Sequence, residues 1–543
     1  MRIASLGLVL LFLMSFGAVP LFNGNYVAAQ EAPAPWVKTY GESDLDVAQA
    51  VAIAPNGDLI ILGYTHSPGT STWDYDFLVL RLDENGSVKW QRTYGGSNYD
   101  EARAVAIAPN GDIIVVGYTY SFDVGNGDVW VLRLDENGNI KWQKTYGEFP
   151  IDRGYAVAIA SNGDIIVAGY APGASGDVWV LRLDENGSVK WQKTYGGSDV
   201  DGAYTVAIAD NGDIIVAGYY GATDSYGSGG DVWVLRLDEN GNVKWQKTYG
   251  GSNDDVARAV AIASNGDIIV VGYTYSFGAG NDDVWVLRLD ENGNIKWQKA
   301  YGGNGGEKAY AVTLADNGDV IVTGYTYSFG AGNNDVWVLG LDENGNVKWQ
   351  KTYGGRSVDS AYSVAMTSTM DIIVAGYTQS FGAGNNDVWI LRLPPDGYLP
   401  PEGKRDLNFY TGDSNAVITE TSVTAIDSSA TWTDTSVLGK TSDAIIQDTD
   451  VTTKTQYYYT GPTELSLTPP TPENGSVMNT DYVFVNMTSN NILVSALLEW
   501  DGQNLTMQKA SDTNWYLNVT GLVNGQYSLR VWGKDLSEKW VTS

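Results

Sequence analysis

Acidic side chains that recur once per repeat are the first residues in this sequence that could do chemistry. One set, Asp46, Asp100, Asp152, Asp201, Asp255, Glu307 and Asp359, stands before an alanine-rich segment each time. A second set, Asp76, Asp128, Asp177, Asp231, Asp283, Asp335 and Asp387, opens an apolar segment of the DVWVLRL type. Carboxylates at fixed spacing can bind a hard cation together with loop carbonyls, which makes Ca²⁺ the candidate cofactor. They can equally cap turns by accepting backbone N–H bonds. Two carboxylates ~10 Å apart repel by only ~0.4 kcal/mol in water, so acidity alone does not demand a metal. Paired carboxylates could also hydrolyse glycosides. A catalytic pair should break the symmetry, however, and these acids are replicated in every repeat. His66 is the one histidine and cysteine is absent, which excludes disulfides, thiol nucleophiles and multi-histidine metal sites.

The elements that must position these acids are strands. A phrase close to WQKTYGG begins at Trp36, Trp90, Trp142, Trp191, Trp245, Trp297 and Trp349, a spacing of 49 to 54 residues. That period is slightly above the ~40–50 residues of a four-stranded propeller blade. In the fifth copy the expected strands are Ala257 to Ala263, Asp267 to Tyr275, Asp283 to Asp290 and Ile295 to Gly302. Asn265-Gly266 and Asn292-Gly293 mark tight hairpins, since Asn-Gly adopts positive φ at little expense. Val284-Trp285-Val286-Leu287 is apolar on both faces, as a sheet sandwiched between two others requires.

Seven inner strands begin near Ala48, Ala102, Gly154, Ala203, Ala257, Ala309 and Ala361. After the seventh third strand, Asp387 to Leu393, Pro394-Pro395 stands where a fourth strand is due. The orphan copy is WVKTYG at Trp36 to Gly41, so the N-terminal strand is expected to complete the last blade and close the ring. Loops leading into inner strands share a face with those joining second and third strands. These are the long, variable loops, where function is expected. Tyr118, Tyr120, Phe122, Tyr273, Tyr275, Phe277, Tyr325, Tyr327 and Phe329 belong to that face and could stack on sugars or pack the blades.

Stretches such as DVWVLRLDENGNVKWQKTYGG and NGDIIVAGYT resemble the propeller repeats of archaeal and bacterial surface proteins, over Trp36 to Leu393. The LDENGNVKW segment is similar to the tryptophan-bearing motif of quinoprotein dehydrogenase propellers, whose cofactor-binding residues have no counterpart here.

The fold class expected is therefore all-β: a seven-bladed β-propeller (36–393) closed by its N-terminal strand, then a linker, then an Ig-like β-sandwich (473–543). Residues 1–29 read as a signal peptide, with Arg2, an apolar run from Leu6 to Val19, and small residues at Val27-Ala28-Ala29. Residues 394–472 are Pro- and Thr/Ser-rich, either a stalk or a small irregular β-module. In the tail, strands are expected at Tyr482 to Thr488, Val494 to Trp500, Trp515 to Val519 and Tyr527 to Trp532. Leu522-Val523-Asn524-Gly525-Gln526-Tyr527 has the look of a tyrosine corner, and this tail resembles archaeal Ig-like modules. Sequons at Asn85, Asn186, Asn474, Asn486, Asn504 and Asn518 are candidate glycosylation sites.

A formal net charge of −31 argues against nucleic acid as a partner, because the sequence offers no basic patch to neutralise phosphates. No later segment reaches ~20 apolar residues, so the mature chain is expected to lack a transmembrane helix. These features imply a secreted or cell-surface binding, adhesion or structural protein acting on a surface protein or carbohydrate. The competing expectation is a secreted carbohydrate-active enzyme, a glycosidase or lyase.

Overall fold

Each repeat buries two apolar faces and ends on an open edge, and the architecture follows from those two facts. The computed structural model describes residues 34–41, 45–66, 75–122, 127–147, 151–171, 176–223, 229–382 and 384–399, and beyond these the backbone of strands between 410 and 542. It is all-β, and seven of its sheets are propeller blades. The first blade comprises β2 (Asp46–Ile53), β3 (Leu59–His66), β4 (Tyr75–Leu82) and β5 (Val88–Gly95) in an antiparallel meander. The closing strand β1 (Trp36–Tyr40) pairs with Asp387–Leu393, so the ring is sealed as the split repeat predicts.

The core lies between blades. Ile269, Val271, Val284, Val286 and Tyr301 of the fifth blade pack with Val322, Trp337, Leu339 and Leu341 of the sixth. Trp130, Trp233, Trp285, Trp337 and Trp389 are fully buried. The Asp-Glu-Asn-Gly turns adopt the expected conformation, with Gly293 at φ 74°. They also carry a function that the sequence does not announce. Each turn accepts three hydrogen bonds from the preceding blade. In the fifth blade's turn, Trp245 Nε1 donates to Glu291 O (3.0 Å), Tyr249 Oη to Gly293 O (2.7 Å) and Arg236 Nη1 to Glu291 O (2.6 Å). The arginine is held in turn by Asp213 at 2.7 Å. At the ring closure Trp36, Tyr40 and Arg392 make the same three bonds to Glu84 and Gly86. Tyr249→Phe removes one of these bonds and strands a buried carbonyl. It should destabilise by about 1–2 kcal/mol in chemical denaturation.

Seven short strands between Tyr410 and Gln456 fall within the segment expected to be a linker or small β-module. Each pairs antiparallel with the outermost strand of a different blade, giving seven five-stranded sheets. Two four-stranded sheets follow, built from tail strands and from Leu465–Thr468, which falls in the segment expected to be linker. One contains Tyr482–Ser489 and Asn514–Thr520, the other Leu493–Trp500 and Leu529–Asp535. The signal-peptide residues and the tyrosine-corner motif lie outside the described residues. Among the described residues no helix is long and apolar enough to cross a membrane.

Candidate functional site

The two acid sets meet. Asp46, Asp100, Asp152, Asp201, Asp255, Glu307 and Asp359 are all buried near the start of the inner strands. Asp128, Asp283, Asp335 and Asp387 are buried and Asp76, Asp177 and Asp231 half-buried at the start of the third strands. The third-strand acid of one blade faces the inner-strand acid of the next, across the glycine of the Tyr-Gly pair. A β-carbon added to Gly354 would lie 1.8 Å from Asp335 Oδ1 and 3.0 Å from Asp359 Oδ2. Gly302 sits likewise between Asp283 and Glu307, Gly196 between Asp177 and Asp201, Gly147 between Asp128 and Asp152, and Gly41 between Asp387 and Asp46. Repetition of that glycine in the sequence is the signal that would have revealed the pairing.

Most of these acids cap loops. Asp255 accepts from Gly251 N (2.7 Å) and Ser276 Oγ (2.8 Å), and Asp359 from Gly355 N (2.8 Å) and Ser380 Oγ (2.7 Å). Asp100 accepts from Gly96 N and Ser121 Oγ, and Glu307 from Gly303 N and Thr326 Oγ1. Asp201 accepts from Gly197 N and Gly221 N. On the partner side Asp335 accepts from Ala331 N and Gly332 N, Asp283 from Ala279 N and Gly280 N, and Asp387 from Gly384 N. Burial raises several of these acids. It pushes Asp100 and Asp335 up to about 7 and Asp201, Asp231 and Asp283 up to about 6, with the facing carboxylate adding to the rise in each case. Among the described residues no three of Asp, Glu, His or Cys gather as a metal site would require.

The aromatic set divides. Phe122, Phe277 and Phe329 pack against Trp130, Trp285 and Trp337 and belong to the blade cores. Tyr275 and Tyr327 are exposed, whereas Tyr118 and Tyr120 line a cavity at the propeller axis. His66 ends β3 and packs edge-on against Tyr75. Asn85 and Asn186 are exposed on the short-turn face. Asn486, Asn504 and Asn518 fall on tail strands, and Asn474 lies outside the described residues.

That axial cavity, of about 720 Å³, is what sequence reasoning missed. Every inner strand carries a register shift beside its alanines, and the unpaired residue in each is Gln49, Arg103, Tyr155, Tyr204, Arg258, Tyr310 or Tyr362. Bulges re-aim side chains, and here all seven bulged residues line the cavity. Tyr99 and Tyr120 come from the long loops of the second blade, so the cavity belongs to that face. Glu101 and Arg153 join it and break the seven-fold symmetry. Glu101 is ion-paired with Arg103 (2.6 Å) and accepts the hydroxyls of Tyr99 and Tyr118. Arg258 lies 3.9 Å above the Tyr204 ring and Arg153 5.3 Å from that of Tyr118.

Fold and cavity together define a seven-bladed β-propeller of near-identical repeats with an axial pocket. Residues 263–295 match a beta-propeller family described as a domain of unknown function, DUF5122. The chain is 26% identical over 170 residues to the regulatory protein FlaEY of Caulobacter vibrioides, a match covering 29% of this chain and 16% of that protein. Among solved structures it is similar to the Pan2 WD40 domain of Neurospora crassa (15% identity, TM-score 0.39, 64% of this chain and 89% of that one). It is also similar to the polysaccharide lyase Uly1 (10%, TM-score 0.39, 69% and 94%).

Proposed function

We propose that this is an extracytoplasmic surface protein that binds its ligand in the axial pocket of the propeller, with an Ig-like tail serving attachment or reach. The observation that carries this reading is the bulged ring. Six of its seven members are Tyr or Arg, residues that combine large contact area with polar tips. The cavity falls in the ~300–1,000 Å³ range of small-ligand sites. The leader-like residues 1–29 support export. The two four-stranded sheets support a sandwich. Binding is favoured over catalysis because Glu101, the one acid lining the pocket among the described residues, is engaged by Arg103, Tyr99 and Tyr118. Burial also pushes the Tyr99 and Tyr118 hydroxyls above their ordinary range, which suits them poorly to act as bases.

The test is an oligosaccharide array probed with the mature protein, then with a Tyr155→Ala/Tyr310→Ala variant. A ligand should emerge whose binding drops about tenfold or more in the variant while the melting curve is kept. Ligands bound equally well by both proteins would place recognition elsewhere and defeat the pocket reading.

A further inference from the structure

Resting on that reading, we infer that the pocket takes an acidic saccharide and reads its carboxylate with Arg153 and Arg258. The chain as a whole carries −31, yet among the described residues its axial pocket is lined by Arg103, Arg153 and Arg258 against the single acid Glu101. Glu101 is committed to Arg103. Among the described residues Arg258 keeps company with tyrosines: the ring of Tyr204 at 3.9 Å, the rings of Tyr273 and Tyr310 beyond 5 Å, and the Tyr273 hydroxyl at 3.3 Å from Nη2. Its Nε is buried without a hydrogen-bond partner. Arg153 is placed similarly, with Nη1 at 3.3 Å from the Tyr155 hydroxyl and Nε buried without a partner. Tyrosine faces offset part of the desolvation of a guanidinium, but they supply no counter-charge. A ligand carboxylate would supply it through the bidentate geometry that arginine favours. The surrounding tyrosines provide apolar faces for the sugar ring and hydroxyls for its oxygens.

Titration calorimetry with trigalacturonate, its methyl ester and a sulfated trisaccharide separates the possibilities. Trigalacturonate should bind about tenfold or more tightly than its ester, weaken as salt rises, and lose about tenfold or more with Arg258→Gln. Equal binding of acid and ester would overturn carboxylate recognition while leaving the pocket reading intact. Preference for the sulfated probe would overturn it in favour of another anion. Binding of trigalacturonate unaffected by both Arg258→Gln and Tyr155→Ala/Tyr310→Ala would defeat the pocket reading itself. Failure of all three probes to bind the folded protein overturns the inference.

A second observation stands independently. The geometry points to the seven short strands between Tyr410 and Gln456 as a belt that visits every blade in reverse order, at one strand per sequence heptad. The sequence divides into YTGDSNA, VITETSV, TAIDSSA, TWTDTSV, LGKTSDA, IIQDTDV and TTKTQYY, seven units of seven. Strands fall once in each unit, from Tyr410–Asp413 to Thr453–Gln456. Their partners run backwards round the ring from Val347–Gly354 of the sixth blade to β5 of the first, then to β1. The fourth residue of every unit stands opposite the cation of the Trp-Gln-Lys phrase. In backbone register Asp413 pairs with Lys351, Glu420 with Lys299, Asp427 with Lys247, Asp434 with Lys193 and Asp448 with Arg92. Thr441 and Thr455 hold that place opposite Lys144 and Lys38. Opposite charges at directly opposed positions stabilise an antiparallel pair. Successive strands twist by ~20–25°, so a fifth strand lies nearly perpendicular to the axial first and can run along the circumference.

The native chain has no cysteine, so designed pairs report register directly. Thr352→Cys with Gly412→Cys, and Thr248→Cys with Ile426→Cys, occupy opposed positions and should oxidise to disulfides in the full-length protein. Thr352→Cys with Ile426→Cys should not. A second measurement uses protease sites placed near residues 403 and 461: after cleavage the released segment should co-elute with the propeller. Disulfides formed indiscriminately, or a segment that separates from a propeller whose outer-strand amides exchange as fast as those of a loop, would overturn the belt.

Discussion

Deleting residues 34–41 is expected to abolish the cooperative unfolding transition or to lower the melting temperature by tens of degrees. Strand β1 buries Trp36, Val37 and Tyr40 almost completely. At ~1.5–3 kcal/mol for each fully buried large apolar side chain, these alone amount to roughly 5–9 kcal/mol. That rivals the ~5–15 kcal/mol by which a typical domain is stable. The loss is also topological. Without β1 the last blade ends at Asp387–Leu393 with an unpaired edge, and Trp36 and Tyr40 no longer bond to Glu84 and Gly86. An open, apolar edge invites pairing between molecules, so the truncated protein should aggregate on refolding. Differential scanning calorimetry and light scattering make the measurement. Tyr40→Phe, losing a single bond, provides the graded control, and a truncated chain that melts like the parent would show that the ring does not depend on its closure.

Blade number and closure were legible because they are written in large, periodic residues. The Trp36-to-Trp349 series counts the blades, and an orphan WVKTYG beside a missing fourth strand can only mean a split blade. The axial pocket was not legible, because a one-residue bulge is decided by crowding round the axis and leaves the Ala-x-Ala pattern unchanged. Its trace is compositional: three residues after each inner acid, an otherwise repetitive segment reads Gln49, Arg103, Tyr155, Tyr204, Arg258, Tyr310 and Tyr362. The acids stood out as residues but were read as two separate rings. Only the path of neighbouring blades brings Asp335 to Asp359, and the small residue that permits it, Gly354, carries no chemistry to attract notice. The aromatic set, open in the sequence between sugar stacking and blade packing, divides for a related reason: alternate residues of one loop, such as Tyr120 and Phe122, turn to pocket and core respectively.

Those paired acids set the second large expectation, a stability that falls as pH rises from about 5 to 8. A carboxyl raised to about 6 or 7 in the folded protein, such as Asp283 or Asp335, binds more protons folded than unfolded throughout the interval above its unfolded value near 4. The slope of stability against pH is therefore negative there, and the contribution is lost as pH passes through the folded value. A second group runs the other way. Burial alone would raise Asp58, but hydrogen bonds from Lys89, Arg81 and Asn56 outweigh it and hold the carboxyl below its ordinary value, and Asp213 and Asp267 behave alike. Their contribution is present above about 4 and disappears in stronger acid, so the maximum should lie near pH 4 to 5. Asp335→Asn isolates the cause. Its amide can still accept from Ala331 and Gly332 through the carbonyl oxygen, while the NH₂ takes the position of Oδ1, which is buried without a hydrogen-bond partner on the side facing Asp359. The variant should melt like the parent at pH 5 and above it at pH 8, in calcium or chelator alike. A calcium-dependent rise in the parent at pH 8, absent in Asp335→Asn, would instead make these junctions cation sites. A melting temperature that climbs from pH 5 to 8 would show that the pairs are ionised and relieved in some other way.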